Sequence, residues 1–309
     1  MLTTNTHRLL TENNIQLLKK RDIHTVLDFL KTENKALERY TSLTYPEIIE
    51  IKKYVAKHFS APPINALTRY HKILSNSALI STGITNLDEL LKGGLLTGTI
   101  YEICGPADSK KLELILTILA HVLCANNSEN VVYFLDTKRD FSAKCMRTKL
   151  SQIKTEEQTL LLLNRILIRH ITDKYELISA MFAIKQELEQ GLSLRVIVIH
   201  SLSVLFASST DRDENNNILN HLANILRYIA VEHNVAIILT NLVTTWTQGG
   251  FHGNSYTVEK IACGKYWSSV PNVCIKINEL SENLSKLTLI KFNNVMEKKT
   301  CIISNSLFQ

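Results

Sequence analysis

Thr99-Ile100-Tyr101-Glu102-Ile103-Cys104-Gly105-Pro106-Ala107-Asp108-Ser109-Lys110-Lys111-Leu112 is the stretch on which the fold turns. Its first six residues are rich in β-formers and read as a buried strand. Beyond the loop, Leu112 to Leu123 has the length and apolar content of a buried helix. Strand, short loop and helix frame a phosphate-binding loop of pattern G-x-x-x-x-G-K-[ST], whose backbone N–H groups and lysine hold phosphate. The match is partial. Gly105 and Lys111 fill the first-glycine and lysine places, but Lys110 stands at the second glycine and Leu112 where a hydroxyl would reach magnesium.

Outward from this unit the elements alternate. Candidate strands are Thr99–Cys104, Val131–Asp136, Ile166–Ile171, Leu194–His200 and Val235–Asn241, with helical runs at Lys110–Cys124, Phe141–Leu150, Lys174–Gln190 and Asn217–His233. Near-continuous apolar strands separated by helices imply a parallel sheet buried on both faces. After Pro271, Asn272–Leu280, Lys286–Asn293 and Lys298–Ser304 read as antiparallel strands, with turns at Ser281-Glu282-Asn283 and Met296-Glu297. Towards the N-terminus, residues up to about Ser60 read as small helices. Thr11 and Thr25 open two of them. Thr44-Tyr45-Pro46-Glu47 is a capping box with proline in the first turn, starting a helix through Phe59. Pro62-Pro63 cannot continue that helix. The predicted organisation is an all-helical domain at 1–60, a linker at 61–77 and a core at 78–309.

The chain has 309 residues, 45% of them hydrophobic, enough for a large core. Its net charge of +6 is compatible with an anionic partner without demanding one. The six cysteines form no C-x-x-C pair and no zinc-ligand spacing, so reduced, buried thiols are expected. The N-terminus is polar and unlike a signal peptide, and no apolar run reaches the ~20 residues that span a bilayer. A soluble, intracellular protein without a membrane partner is the expectation.

Ser81-Thr82-Gly83 and Leu87-Asp88-Glu89-Leu90-Leu91-Lys92-Gly93-Gly94-Leu95, followed by Thr97-Gly98 and Glu102-Ile103-Cys104-Gly105, make a lead-in that resembles the RecA-type recombinases of eukaryotes and archaea. Val235-Ala236-Ile237-Ile238-Leu239-Thr240-Asn241 is similar to that family's strand ending in T-N. Gly264-Lys265-Tyr266-Trp267-Ser268-Ser269-Val270-Pro271 and Phe59-Ser60-Ala61-Pro62-Pro63-Ile64-Asn65 are similar to segments of its D-type paralogue branch. The resemblance implies an α/β, RecA-like P-loop core with a mainly parallel twisted sheet and C-terminal antiparallel strands, preceded by a small all-helical domain.

It also implies what an ATPase site needs, and several parts are missing. A lysine and backbone cradle serve the phosphates, a hydroxyl and an acid serve magnesium, and a carboxylate activates water. Lys110 puts a Cβ into the cradle and Asp108 an acid, although Lys111 survives. The degenerate loop Gly105, Pro106, Ala107, Asp108, Ser109, Lys110, Lys111 and Leu112 is thus the candidate cofactor site. His200 stands in the family's metal-binding aspartate place, Lys138 in its catalytic glutamate place and Leu242 in its γ-phosphate sensor place. Magnesium prefers hard oxygen ligands and an ammonium is a poor base, so negligible ATP hydrolysis, no ATP or weakly held ATP and no magnesium site are expected. Lys110, Lys111 and Lys138 gather round an anion in one reading; in the other, Asp108 and Asp136 pair with them and fill the site.

The resemblance places two DNA-facing loops at about 207–216 and 242–264. Residues 208–214 are net acidic, which argues against an autonomous recombinase groove; the second loop carries Trp246, Phe251 and Lys260, candidates for stacking on and pairing with single-stranded or branched DNA. A mobile loop with two chance aromatics is the competing reading. The implied function is assistance to homologous recombination and double-strand break repair in the nucleus, as one subunit among recombinase paralogues and beside a recombinase filament. The alternatives are an active DNA-dependent ATPase in strand exchange and an interaction scaffold without DNA binding.

Overall fold

The computed structural model describes residues 2–59, 63–125, 131–207, 211–249, 255–293 and 295–308. It divides into two compact units, Met1–Lys72 and Ile73–Gln309.

The first unit holds α1 (Glu12–Lys19), α2 (Val26–Lys31), α3 (Asn34–Tyr40) and α4 (Tyr45–Phe59). The caps read from the sequence are present. Thr11 accepts from Asn14 N, Thr25 from Asp28 N, and Glu47 accepts from Thr44 N at 2.7 Å. Helices this short are not stable alone; they bury Leu18, Phe29, Leu37, Ile48, Ile51 and Val55 in one common core. Residues 66–76, inside the stretch read as a linker, form α5 (Ala66–Asn76). The prolines stop α4 but leave the chain free three residues later, where Asn65 Oδ1 accepts from Leu67 N at 2.8 Å and starts a new helix.

The second unit contains β1 (Leu79–Ile80), α6 (Thr85–Leu90), β2 (Leu95–Leu96), β3 (Ile100–Gly105), α7 (Lys111–Ala125), β4 (Val131–Asp136), α8 (Ala143–Ser151), α9 (Glu156–Leu163) and β5 (Ile166–His170). It continues with α10 (Lys174–Glu189), β6 (Leu194–His200), α11 (Leu202–Phe206), α12 (Arg212–His233), β7 (Ala236–Gly249), β8 (Ser255–Ile261), α13 (Gly264–Trp267), β9 (Val273–Ser281), β10 (Leu284–Phe292) and β11 (Val295–Ser304). The main sheet runs β11-β10-β9-β3-β7-β6-β4-β5. Strands β9, β3, β7, β6, β4 and β5 are joined in parallel, and β10 and β11 extend the sheet antiparallel. The RecA-like architecture expected from the sequence is the one observed.

Alternation along the strands decides which helix covers which face. Val196 and Val198 pack with α7 and α8, whereas Ile197 and Ile199 pack with α10 and α12. The lead-in motif is a knot in its own right: Asp88 accepts from Thr82 N, Thr82 Oγ1 and Ser81 Oγ at 2.8, 2.6 and 2.6 Å.

Further elements of this unit differ from the sequence reading. Residues 242–264 are not one open loop: β7 runs on to Gly249 and pairs with β8 as an antiparallel hairpin. The β-formers Val243–Thr247 and Tyr256–Val258 carry the signal, which the intervening glycines obscured. Arg212 to Asn216 is the first turn and a half of α12. Met296 and Glu297 lie within β11, whose turn falls earlier, near the left-handed Asn293.

Candidate functional site

The phosphate loop is held shut from within. A Cβ on Gly105 would lie 2.5 Å from Ile277 O and 2.6 Å from Ser109 Oγ, so only glycine fits where the loop leaves β3. Lys111, the first residue of α7, is 4% exposed. Its ammonium donates to Gly105 O at 3.2 Å, to Ser109 Oγ at 2.8 Å and to Pro106 O. All three donors of the group that would reach a phosphate are spent on the loop's own oxygens. Burial, followed by the charge of Lys138, pushes the Lys111 pKa down to about 8. Leu112 turns the other way and packs against the main hydrophobic core. Pro106, Ala107 and Asp108 are exposed, and Lys110 is half-buried.

The second shared feature lies where β4 and β6 end. Asp136, fully buried, accepts from Lys138 N, Arg139 N and Phe141 N at 3.1, 2.8 and 3.1 Å. Among the described residues no ion pair joins Asp136 or Asp108 to the three lysines. The pairing of Asp136 with those lysines is not what the structure shows: Asp136 shapes the 137–141 turn instead. The acid that does face the site is Asp140, which the sequence reading passed over. Its Oδ2 lies 3.3 Å from His200 Nε2 and 3.6 Å from Lys138 Nζ. Burial raises its pKa, but the hydrogen bond and charge of His200, with Lys138, outweigh that and hold it below the usual carboxylate range. His200, 1% exposed, is tied at its other nitrogen to Thr240 Oγ1 at 2.8 Å. No sequence pattern marks Asp140; only the turn around Asp136 carries it back to His200.

These residues do not fit a magnesium–nucleotide. Magnesium takes about six oxygens in near-octahedral array. Here an apolar side chain points into the core at one ligand place, and an imidazole occupies another. The remaining carboxylate is flanked by that imidazole and an ammonium.

On the other side of β6 the structure opens. A cavity of about 1020 Å³ lies between α11, the first turns of α12, the base of the β7–β8 hairpin and α13. Arg212, Lys260 and Lys265 bring positive charge to it; Asn215, Thr244 and Tyr266 add polar groups over an apolar floor that includes Leu219 and Leu242. No carboxylate lines it among the described residues. Two of the three acids of 211–214 are used elsewhere, and Asp213 does not line the cavity. Asp211 caps α12 by accepting from Asp213 N and Glu214 N, both at 3.0 Å, and Glu214 takes Lys174 Nζ at 2.6 Å. Net acidity in that stretch thus does not face the cavity, whereas Arg212 does. Lys260 was read from the sequence and lines the cavity. Trp246 lies on β7 opposite Val258, and Phe251 falls outside the described residues. Leu242, read as a lost sensor, is part of the floor. Arg212, Lys265 and Tyr266 went unread because they come from the starts of two different helices.

Comparison with known proteins agrees with this architecture. The chain matches the Rad51 family over residues 74–271 and the RAD51D N-terminal domain over residues 1–55. It is 29% identical over 272 residues to DNA repair protein RAD51 homolog 4 of Bos taurus, covering 85% of this chain and 80% of that protein. It is 27% identical over 278 residues to DNA repair protein RAD51 homolog 4 of Mus musculus, covering 87% and 82%. Against DNA repair protein RAD51 homolog 2 of Homo sapiens it is 28% identical over 253 residues, covering 75% and 64%. The first match alone takes in more than half of the molecule, and the parallel strands β3 to β7, the lead-in knot and the phosphate-loop frame all fall within it: the chain belongs to the Rad51 family.

Proposed function

We propose that this protein assists homologous recombination and double-strand break repair as one subunit of a complex of recombinase paralogues, holding single-stranded DNA without turning over ATP. The relatives are DNA repair proteins by name, which supports the process, a nuclear site of action and other Rad51-type proteins, a recombinase filament among them, as partners. The observation that carries the loss of turnover is Lys111, whose ammonium is engaged by Gly105 O, Pro106 O and Ser109 Oγ while Leu112 packs in the core. A group so placed would have to give up three hydrogen bonds before it met a phosphate. The cavity, whose described lining is positive and holds no carboxylate, supports the DNA half of the reading.

Two assays test it on the full chain. ATP turnover with and without single-stranded DNA should stay at background; DNA-stimulated turnover would make the protein an active DNA-dependent ATPase. Binding of a fluorescent oligonucleotide should weaken steeply as salt rises. Absence of any salt-dependent binding would favour a scaffold that meets proteins alone.

A further inference from the structure

One buried ionisable group takes no part in either region. Glu102, in the middle of β3, is 1% exposed and sits in register with Leu239 of β7 and Cys274 of β9. An apolar residue would cost less free energy there, so a carboxyl in that place needs a reason. Its bonds supply one. Oε1 accepts from Asn241 Nδ2 at 2.9 Å and from Trp267 Nε1 at 3.0 Å, and Oε2 accepts from the Cys274 thiol at 3.4 Å. Burial pushes the Glu102 pKa up, and these three bonds oppose it.

The two donors on Oε1 come from opposite ends of one stretch. Asn241 stands where the hairpin leaves the sheet. Its Nδ2 also reaches Ala262 O at 3.1 Å, its Oδ1 accepts from Leu242 N at 2.8 Å, and Leu242 O accepts from Ala262 N at 2.8 Å. Trp267 ends α13 with its side chain fully buried. Between the two pins run Cys263, in the left-handed region at φ 68°, and Gly264, Lys265 and Tyr266, all four of which line the cavity. Downstream, Lys291 Nζ donates to Ser268 O, Ser269 O and Pro271 O at 3.2, 3.1 and 2.6 Å, so the stretch cannot relax by sliding beyond Trp267.

We propose that Glu102 is a positioning residue for the cavity: a single carboxyl oxygen fastens both ends of the 262–267 wall and thereby sets how tightly single-stranded DNA is held by Lys265 and Tyr266. The proposal rests on the nucleic-acid reading of the cavity, but its structural half can be read without DNA.

The test compares wild type with Glu102→Gln, which keeps one acceptor for Asn241 and Trp267, and Glu102→Leu, which removes it. In the full chain, Glu102→Leu should weaken oligonucleotide binding about tenfold while Glu102→Gln stays within about twofold. Amide exchange of residues 260–267 should speed up about tenfold in Glu102→Leu alone, with α7 and α12 unaltered as the check that the core is folded. The Trp267 indole N–H resonance should move upfield in the leucine variant and return towards wild type in the glutamine variant. If exchange and the indole resonance are the same in Glu102→Leu as in wild type, the inference is wrong. If exchange extends over the whole second unit in both variants, Glu102 holds the fold at large and the inference is equally wrong. If the wall loosens as expected but wild type binds no oligonucleotide, the clamp stands and the DNA reading of the cavity falls.

Discussion

The phosphate loop and the hairpin-side cavity lie at the same end of one parallel sheet, and each is rich in positive charge, yet they use it in opposite ways. At the loop the ammonium of Lys111 is turned onto Gly105 O, Pro106 O and Ser109 Oγ, and Lys138 and His200 share Asp140. At the cavity Arg212, Lys260 and Lys265 stand round about 1020 Å³ of space whose described lining includes no carboxylate. Charge alone does not make an anion site. What matters is whether the cation is satisfied by the protein before a ligand arrives, because a paired group must lose its bonds to make new ones. By that measure the Lys111 ammonium belongs to the packing of its own loop, whereas the hairpin-side cavity is open space lined by positive charge.

The contrast can be broken most severely at Gly105. If the loop is closed by packing, Gly105→Val should destabilise the second unit by about 3 kcal/mol in urea unfolding, because its side chain would meet Ile277 O and Ser109 Oγ. Wild-type stability in that variant would mean the loop has room to spare. Next in size, the triple change Arg212→Ala, Lys260→Ala, Lys265→Ala should weaken single-stranded DNA binding about a hundredfold at physiological salt and flatten the log–log salt slope by about 2. An unchanged slope would place the DNA contacts elsewhere. Tyr266→Ala should then cost about tenfold in affinity with the salt slope intact, as expected for stacking on a base; its hydroxyl bond to Asn220 Oδ1 at 2.7 Å fixes the ring from the α12 side.

The smallest effect returns to Lys111. Its folded pKa of about 8 lies below the 10.5 of an ordinary lysine, so between those limits the unfolded chain binds more protons. The contribution of Lys111 to stability therefore grows as pH rises from about 8 to 10.5 and is lost as pH falls back through 8. Urea midpoints of wild type and Lys111→Met should diverge over that range and run parallel below it. Parallel curves throughout would show the ammonium to be solvated, and the loop open after all.

Much of this was legible beforehand because it depends on local pattern. The buried strands read from their apolar runs, and β3, β4 and β6 fall within a residue of where the sequence put them. Lys111, Leu112, Lys138 and His200 could be named from spacing to a strand end, since the strand–loop–helix frame fixes their places. The hairpin of β7 and β8 was missed because glycines between two runs of β-formers read as looseness, whereas pairing across them supplies the missing backbone partners. α9 and α11 were missed because, at 8 and 5 residues, neither has a periodic signal long enough to be distinguished.

The amino-acid order by itself determined the layered α/β core, the caps of the N-terminal helices and the placing of Leu112, Lys138 and His200 at the ends of the phosphate-loop frame and its neighbouring strands. These follow from chemistry that acts over a few residues. Tertiary structure alone decided what each charge does. Asp136 turned out to serve backbone N–H groups, Asp140 to meet His200 60 residues away, and Glu102 to join Asn241 and Trp267 across 139 and 165 residues. The free energy of a buried charge is set by the partners that packing brings within about 3 Å of it, and those partners are not neighbours in the chain.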